Sequence, residues 1–457
     1  MESTPIQITE YDNADNVSNV YVQSSAGGDA KGMSRVDVIP PKKGDERSYL
    51  QQGMDVFLPA GFPHSVTEDY TEYQIYDSLQ AFSSSIAAML SSRAVLSSIG
   101  VGDTKASPTA ALLLSVLQES VGRLATILFA HRFGTSLEPE CKMYRLMADV
   151  LNDSAFILDV LSPIFPKPIR IVILSFSSIL RSLCGVAAGS SKASLSAHFA
   201  RWGNLGELNA KDSSQETVIS LMGMLAGSLV ISWITTPLAT WTALIGLLSI
   251  HLETNRRAVR AVKMRTLNRQ RATLVFHHLQ RQQTVPSIKE ISSVEHIFEW
   301  DGVLRTSTRD IMGYCDIGTP FLRLLEAVSE FQTSTKASHI QQQTLSEILS
   351  LYNSSRYILW HDRRSTKDGP RFNIILKKGA EPTDLLIAWW QALFHAQDDS
   401  AAGQDGFEEK LAAFERSLSR AKEFFERYEK SLREKGWDVD NGALETASST
   451  RVVFGES

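Results

Sequence analysis

Apolar and polar positions divide the chain into unlike parts. The first 50 residues are polar, with the run Asn13-Ala14-Asp15-Asn16 and a Ser/Gly-rich stretch over 24–28, and they offer no periodic apolar face. Such a segment buries too little to offset the entropy of ordering it, so residues 1–52 read as disordered. Most long apolar runs fall in residues 55–250, and charge returns at high density from residue 251. The clearest run is 217–250, 34 residues without Asp, Glu, Lys, Arg or His. A helix of ~20 such residues crosses ~30 Å of hydrocarbon. Pro237, after Thr235 and Thr236, divides the run into 217–234 and 238–250, which predicts two helices or a broken pair. Gly223 and Gly227 have the four-residue spacing that lets a second helix approach closely.

Two weaker apolar segments precede it. Residues 169–189 are long enough to span but carry Arg170 near one end and Arg181 inside, with Gly185 and Gly189 repeating the small-residue spacing. An arginine at that depth must snorkel or face a partner helix. Residues 108–130 contain Gln118, Glu119 and Arg123, and the four-residue spacing of Glu119 and Arg123 lets them pair. The expectation for 53–285 is a helical, membrane-associated bundle with a polar interior and three to five embedded helices. Directly after the charge-free run stand Arg256, Arg257, Arg260 and Lys263, candidate contacts for anionic lipid headgroups, followed by Arg265, Arg269 and Arg271. Residues 254–281 read as one long helix.

Beyond Pro286 the pattern changes. Residues 355–360 and 372–376 are strand candidates joined by a charged loop containing Gly369-Pro370, the signature of a hairpin. Pro382 then introduces a helix containing Leu385, Leu386, Trp389, Trp390, Leu393 and Phe394. A last helix is marked by Phe407, Leu411, Phe414, Leu418, Ala421, Phe425, Tyr428 and Leu432 at spacings of four and three, and Gly436 stops it. Residues 286–440 are therefore expected to form a C-terminal α+β domain, with 441–457 a flexible tail. The fold class is mainly α. The last helix either completes this domain or pairs with another protein.

Composition narrows the function classes. A net charge of −5, with no aromatic interleaving of the basic stretch, gives no footprint for nucleic acid. Cys141, Cys184 and Cys315 lie too far apart for CxxC pairs, which points to a reducing interior and away from a thiolate metal site. Glu2, Glu10 and Asp12 argue against a basic amphipathic presequence. There is no G-x-G-x-x-G, Walker A, H-E-x-x-H or G-x-S-x-G motif, so no catalytic residue, cofactor or metal is indicated.

Four polar constellations remain. On the helix beginning near Glu68, Tyr70, Gln74 and Asp77 share one side and Tyr73 another, a surface that binds a flat polar molecule or packs as a hydrogen-bonded core. In the second, Arg145, Asp149 and Asp153 repeat an i,i+4 spacing beside Lys142, Asn152 and Asp159, which suits a polar or ion-coupled site or plain structural pairing. The third, 198–217, concentrates His198, Asn204, Lys211, Asp212, Gln215 and Glu216 against the charge-free run, as a ligand gate or a capped loop. Glu119 and Arg123 form the fourth. Gln118-Glu119-Ser120-Val121 is echoed by Gln215-Glu216-Thr217-Val218, a faint sign of the internal repeats between which transporters bind substrates.

Several of these blocks together resemble the root UVB sensitive (RUS, DUF647) family. They are Pro59-Ala60-Gly61-Phe62-Pro63-His64-Ser65-Val66 with Asp69-Tyr70 and Tyr73-Gln74, the run 145–153, His198-Phe199-Ala200 with Gly203-Asn204, the run 210–217, Asn255-Arg256-Arg257-Ala258-Val259-Arg260, and Leu267-Asn268-Arg269-Gln270-Arg271. The resemblance implies a membrane protein tied to vitamin B6 homeostasis, with no established reaction or catalytic residue to carry over.

The leading expectation is a protein of an intracellular membrane, organelle undetermined, that helps move or regulate a small polar metabolite such as a B6 vitamer. Its expected partners are membrane lipids, that metabolite, and another chain through helix packing as a homo- or hetero-oligomer. The alternatives are a membrane-anchored scaffold that recruits a partner through its C-terminal helices, and a soluble pyridoxal phosphate-handling enzyme.

Overall fold

Three short strands come first among the described residues: β1 (Ile6–Tyr11), β2 (Val17–Ser25) and β3 (Ser34–Ile39), joined antiparallel in that order. The structure is a computed structural model, and it describes residues 6–11, 17–25, 34–39, 56–98, 108–328, 330–332, 337–339, 342–362, 369–399 and 406–454. Over these three segments the strands correct the expectation of disorder, and the remainder of 1–52 lies outside the described residues. Polar composition concealed a period-two alternation, with Val20 and Val22 on β2 opposite Ile39 and Asp37 of β3.

Six long helices follow: α1 (Tyr70–Ser98), α2 (Pro108–Phe133), α3 (Cys141–Leu161), α4 (Lys167–Phe199), α5 (Leu205–Trp233) and α6 (Pro237–Ala261). The break falls where Pro237 put it, with α5 ending at Trp233 and Pro237 opening α6. Three stretches are long and apolar enough to cross a membrane: Leu112–Ser136, Lys167–Phe199 and Leu205–Trp233. Only 6%, 17% and 11% of their apolar windows are buried. Leu113, Leu128, Val172, Leu225 and Leu229 all stand open on their surfaces. Contiguous apolar area on that scale requires a nonaqueous neighbour, and hydrocarbon supplies one. These helices associate the protein with a membrane.

The chain divides into two compact units, residues 1–93 with 193–261, and residues 94–192 with 262–457. In the first, α5 lies against α1 through its small residues. A Cβ built on Gly223 would fall 2.7 Å from Ser85 Cβ and 2.9 Å from the Phe82 carbonyl, and one on Gly227 3.2 Å from Met89 Cγ. Gly185 and Gly189 on α4 face open space instead.

In the second unit, α7 (Arg269–Gln282) and α8 (Ile288–Val294) precede β4 (Val303–Arg305) and β5 (Ile311–Ile317). The long helix expected over 254–281 is two helices. α6 ends at Ala261, and Asn268 starts α7 by accepting the Arg271 N–H at 2.9 Å. Next come α9 (Leu322–Val328), β6 (Glu330–Gln332), β7 (Ala337–His339), α10 (Gln342–Leu351), β8 (Tyr357–His361) and β9 (Arg371–Lys377). The chain closes with α11 (Pro382–Asp399), α12 (Phe407–Glu434) and β10 (Arg451–Val452). β8 and β9 form the expected antiparallel hairpin, and β9 also pairs in parallel with β5 and β10.

One apolar core joins α7, α11, α12 and this sheet. Phe276 meets Phe394 at 4.7 Å between ring centroids, Trp389 donates to Thr273 Oγ1 at 2.9 Å, and Trp390 donates to the Ala272 carbonyl at 3.1 Å. This packing places α7 with the C-terminal elements, so the division comes at residue 262 and not at 285. The apolar face of α12, including Phe414, Leu418, Phe425 and Leu432, is buried in the same core. That face is therefore not free to recruit a second protein.

Candidate functional site

Polar groups in the first unit meet between α1, the end of α4 and α5. The loop before α1 is fixed by backbone bonds, Thr67 N–H to the Phe199 carbonyl at 3.1 Å and Arg201 N–H to the Ser65 carbonyl at 3.1 Å. Tyr70 and Tyr73 then pack on Phe199, with centroids 5.5 and 5.1 Å apart. Tyr70 is thereby buried, and its hydroxyl donates to Asp212 Oδ1 at 2.9 Å. Burial and the Asp212 charge push this phenol well above its usual range, so it stays a neutral donor. Gln74 Nε2 donates to Gln215 Oε1 at 2.8 Å, and Gln215 Nε2 donates to the Phe57 carbonyl at 2.7 Å. Tyr73 donates to Asp77 at 3.3 Å, while His198 Nε2 lies 3.0 Å from Asp69 Oδ2. Lys211 donates to the Val56 carbonyl at 2.9 Å.

Tyr70, Gln74 and Gln215, with Leu58, Ile75 and Ile219, line an open cleft of about 490 Å³. The first and third constellations of the sequence thus converge. Asn204 sits at the N-cap of α5 without capping it, and both its amide atoms are buried without a hydrogen-bond partner. Glu216 points outward, so it does not line the cleft. On α6, Arg256 and Arg257 both pair with Glu253, at 2.7 and 2.8 Å, which halves the charge they offer to a headgroup, while Arg260 is exposed on the last turn.

The remaining candidates lie in the second unit. Arg145 and Asp149 form a buried pair at 3.4 Å, with Asp153 buried on the same helix and Asn152 half-buried beside it. Glu119 and Arg123 pair at 3.6 Å on the open surface of α2. Arg181, the arginine inside an apolar helix, pairs with Asp159, which also accepts from Ser177 at 2.6 Å. Arg269 and Arg271 are not part of a solvated basic stretch. Arg269 meets Asp301 at 2.5 Å, and Arg271 meets Glu295 at 2.9 Å beside Lys142 at 2.6 Å. Burial opposes ionisation of Glu295, but the Arg271 and Lys142 charges outweigh it and hold the carboxyl below its usual value. Among the described residues no group of three or more His, Cys, Asp or Glu side chains is arranged to hold a metal.

A larger cavity, about 840 Å³, lies in the second unit, and no candidate residue read from the sequence lines it. Phe129 and Phe133 of α2, Met143, Tyr144 and Met147 of α3, and Leu183 of α4 make an apolar wall. Arg269 and His277 of α7, with Trp300, Arg305 and Arg309, make a polar one. Burial lowers the His277 pKa, so the ring is neutral and its Nε2–H donates to the Arg305 carbonyl at 2.7 Å. Glu140 also lines the cavity, and burial pushes its carboxyl up to about 7. No periodicity flags such a site, because its residues come from five separated segments.

The fold and these sites define a membrane-associated helical protein with a polar interior and an α+β C-terminal region. Residues 43–283 match the vitamin B6 photo-protection and homoeostasis domain family, and the chain belongs to that family, the root UVB sensitive proteins. It is 40% identical to RUS family member 1 of Dictyostelium discoideum over 53% of this chain and 47% of that protein, so it spans about half of that relative's length. It is 33% identical to protein root UVB sensitive 3 of Arabidopsis thaliana over 74% of each chain. With protein root UVB sensitive 2, chloroplastic, of the same plant it shares 24% identity over 94% of this chain and 90% of the other. No solved structure matches.

Proposed function

We propose that the protein moves a small polar metabolite, in the first instance a B6 vitamer, across or along an intracellular membrane. The observation that carries this reading is the cleft in which Tyr70 and Gln74 of α1 meet Gln215 of α5, a helix long and apolar enough to span. Neutral donors and acceptors let a polar ring exchange water for protein without leaving a charge stranded in a medium of low dielectric. The family's vitamin B6 association supplies the substrate class. Arg260, exposed on the last turn of α6, serves as a headgroup contact.

Reconstitution into liposomes tests the reading. Protein-dependent flux of pyridoxine or pyridoxal, reduced at least fivefold in Gln74→Leu and Gln215→Leu while membrane insertion stays intact, supports it. No flux across a panel of vitamers, under imposed proton and sodium gradients as well as none, removes it. Carbonate extraction of native membranes is the prior check, and release of the protein into the supernatant would end the transport account.

A further inference from the structure

We infer that the 840 Å³ cavity of the second unit is a binding site for a flat organic anion, an aromatic or heteroaromatic ring bearing one phosphate or carboxylate. The inference concerns this unit alone and does not rest on transport, although the family supplies the probe.

Size comes first: the cavity falls in the range of ~300–1,000 Å³ typical of ligand sites. Its two walls differ in chemistry. Phe129 and Tyr144 stand edge to face with centroids 6.2 Å apart, next to Met143 and Met147, and offer ring and thioether surface to an apolar body. Trp300, 79% exposed, adds a large aromatic side chain to the lining with little packed on it from its own chain.

The charge inventory decides the sign of the ligand. Arg269 is neutralised by Asp301 at 2.5 Å, and Arg305 by Glu299 through two bonds of 2.8 and 2.6 Å. Asp316, also on the lining, is 3.8 Å from Arg371. Two guanidinium groups remain. Arg132 has no carboxylate partner among the described residues, and its Cζ lies 5.5 Å from the centroid of the Phe133 ring. Among the described residues the Arg309 guanidinium bonds the His296 ring and the Val294 carbonyl, at 2.9 Å for the latter, and no carboxylate. Glu140, the other carboxyl on the lining, accepts from Asn268 and is raised by burial to about 7, so against it the two arginines leave a positive surplus and an anion is the complementary guest.

The presentation of Arg309 is constructed. Its backbone is left-handed, φ 75°, a conformation costly for a residue with a Cβ. The turn that holds it is tied by Thr306 N–H to the Asp310 carbonyl at 2.8 Å and by the Arg305 guanidinium to the Arg309 carbonyl at 2.7 Å.

The full chain in nanodiscs of neutral lipid would be titrated with pyridoxine 5′-phosphate, which carries no aldehyde to react with lysines, following tryptophan fluorescence and heat. Saturable binding is expected. Arg132→Gln and Arg309→Gln should each weaken it at least tenfold, Trp300→Ala should weaken it severalfold, and Lys430→Gln should leave it unchanged. Pyridoxine, lacking the phosphate, and inorganic phosphate, lacking the ring, should each bind at least tenfold less well. Nanodiscs containing phosphatidic acid separate a lipid phosphate from a soluble one. The proposal is overturned by absence of saturable binding, by equal binding of pyridoxine, by indifference to both arginine variants in folded protein, or by occupancy by phosphatidic acid alone. Binding without flux would leave this site standing and remove the transport reading.

Discussion

The Tyr70 hydroxyl donates to the Asp212 carboxylate at 2.9 Å, a buried bond that ties α1 to α5 across 142 positions of sequence. Tyr70→Phe leaves a buried carboxylate short of one donor, which costs ~1–3 kcal/mol. Asp212→Leu removes the charge along with its acceptor atoms and leaves the Tyr70 hydroxyl to be satisfied elsewhere. Thermal unfolding in detergent should rank wild type above Tyr70→Phe, with the double variant Tyr70→Phe/Asp212→Leu recovering part of the loss. Strict additivity of the two changes would show that the pair is not coupled.

The small residues of α5 give a sharper packing test. A side chain at Gly223 collides with Ser85 and with the Phe82 carbonyl, which belongs to backbone and cannot swing aside. Gly223→Val should destabilise the first unit by ~1–3 kcal/mol and lower folded yield. Gly185→Ala meets nothing within 4 Å and should be neutral in the monomer. A change in oligomeric state with Gly185→Ala would instead identify α4 as a helix-pairing surface.

Acid should loosen the C-terminal core. His395 stacks on Phe414 at 3.9 Å, and burial, followed by the neighbouring His361, lowers its pKa to about 3, while burial takes His361 to about 4. The folded state therefore holds both rings neutral where the unfolded chain protonates near 6.5. Their contribution is fully present above that value and is lost as pH falls toward 4 and then 3. Near-ultraviolet circular dichroism of wild type should show the tryptophan-rich core losing stability over that window. His395→Leu should reduce the loss by ~3 kcal/mol, and an unchanged acid profile would reject the assignment.

Glu140 acts in the opposite direction. Its carboxyl is raised from 4.5 to about 7 by burial, opposed by Arg271 and Arg269 and reinforced by Glu295 and Asp301, while Asn268 donates to it at 3.0 and 3.1 Å. A raised carboxyl contributes stability that is whole below about 4.5 and gone above about 7. Melting temperatures measured between pH 5 and pH 8 should fall for wild type and stay flatter for Glu140→Gln.

How much of this was legible follows from where each signal lives. The α5/α6 break, the Gly223–Gly227 contact and the α12 face were visible because helical periodicity and proline act locally. The pairing of Arg181 with Asp159 was visible only as a need for some partner. The meeting of Tyr70 and Gln74 with Asp212 and Gln215 came as a list of candidates, because polar residues packed against apolar helices announce an interior without saying which touch. The parallel pairing of β5 with β9, Tyr314 opposite Arg371, was invisible, since register between strands about 55 residues apart leaves no local trace. The cavity around Trp300 escaped for the same reason. The basic stretch read as continuous is divided between two units: Arg256, Arg257 and Arg260 belong to the first, while Arg269 and Arg271 lie on a helix of the second, capped by Asn268.

The account depends on hydrocarbon covering the open faces of α2, α4 and α5. Single spin labels at Leu128 and Leu229, both more than 60% exposed, in a Cys184→Ala background reconstituted in bilayers, measure this through relaxation by oxygen and by a water-soluble nickel chelate. Collisions dominated by oxygen at both positions are predicted. Chelate-dominated relaxation at both would place water against these helices and contradict the membrane account.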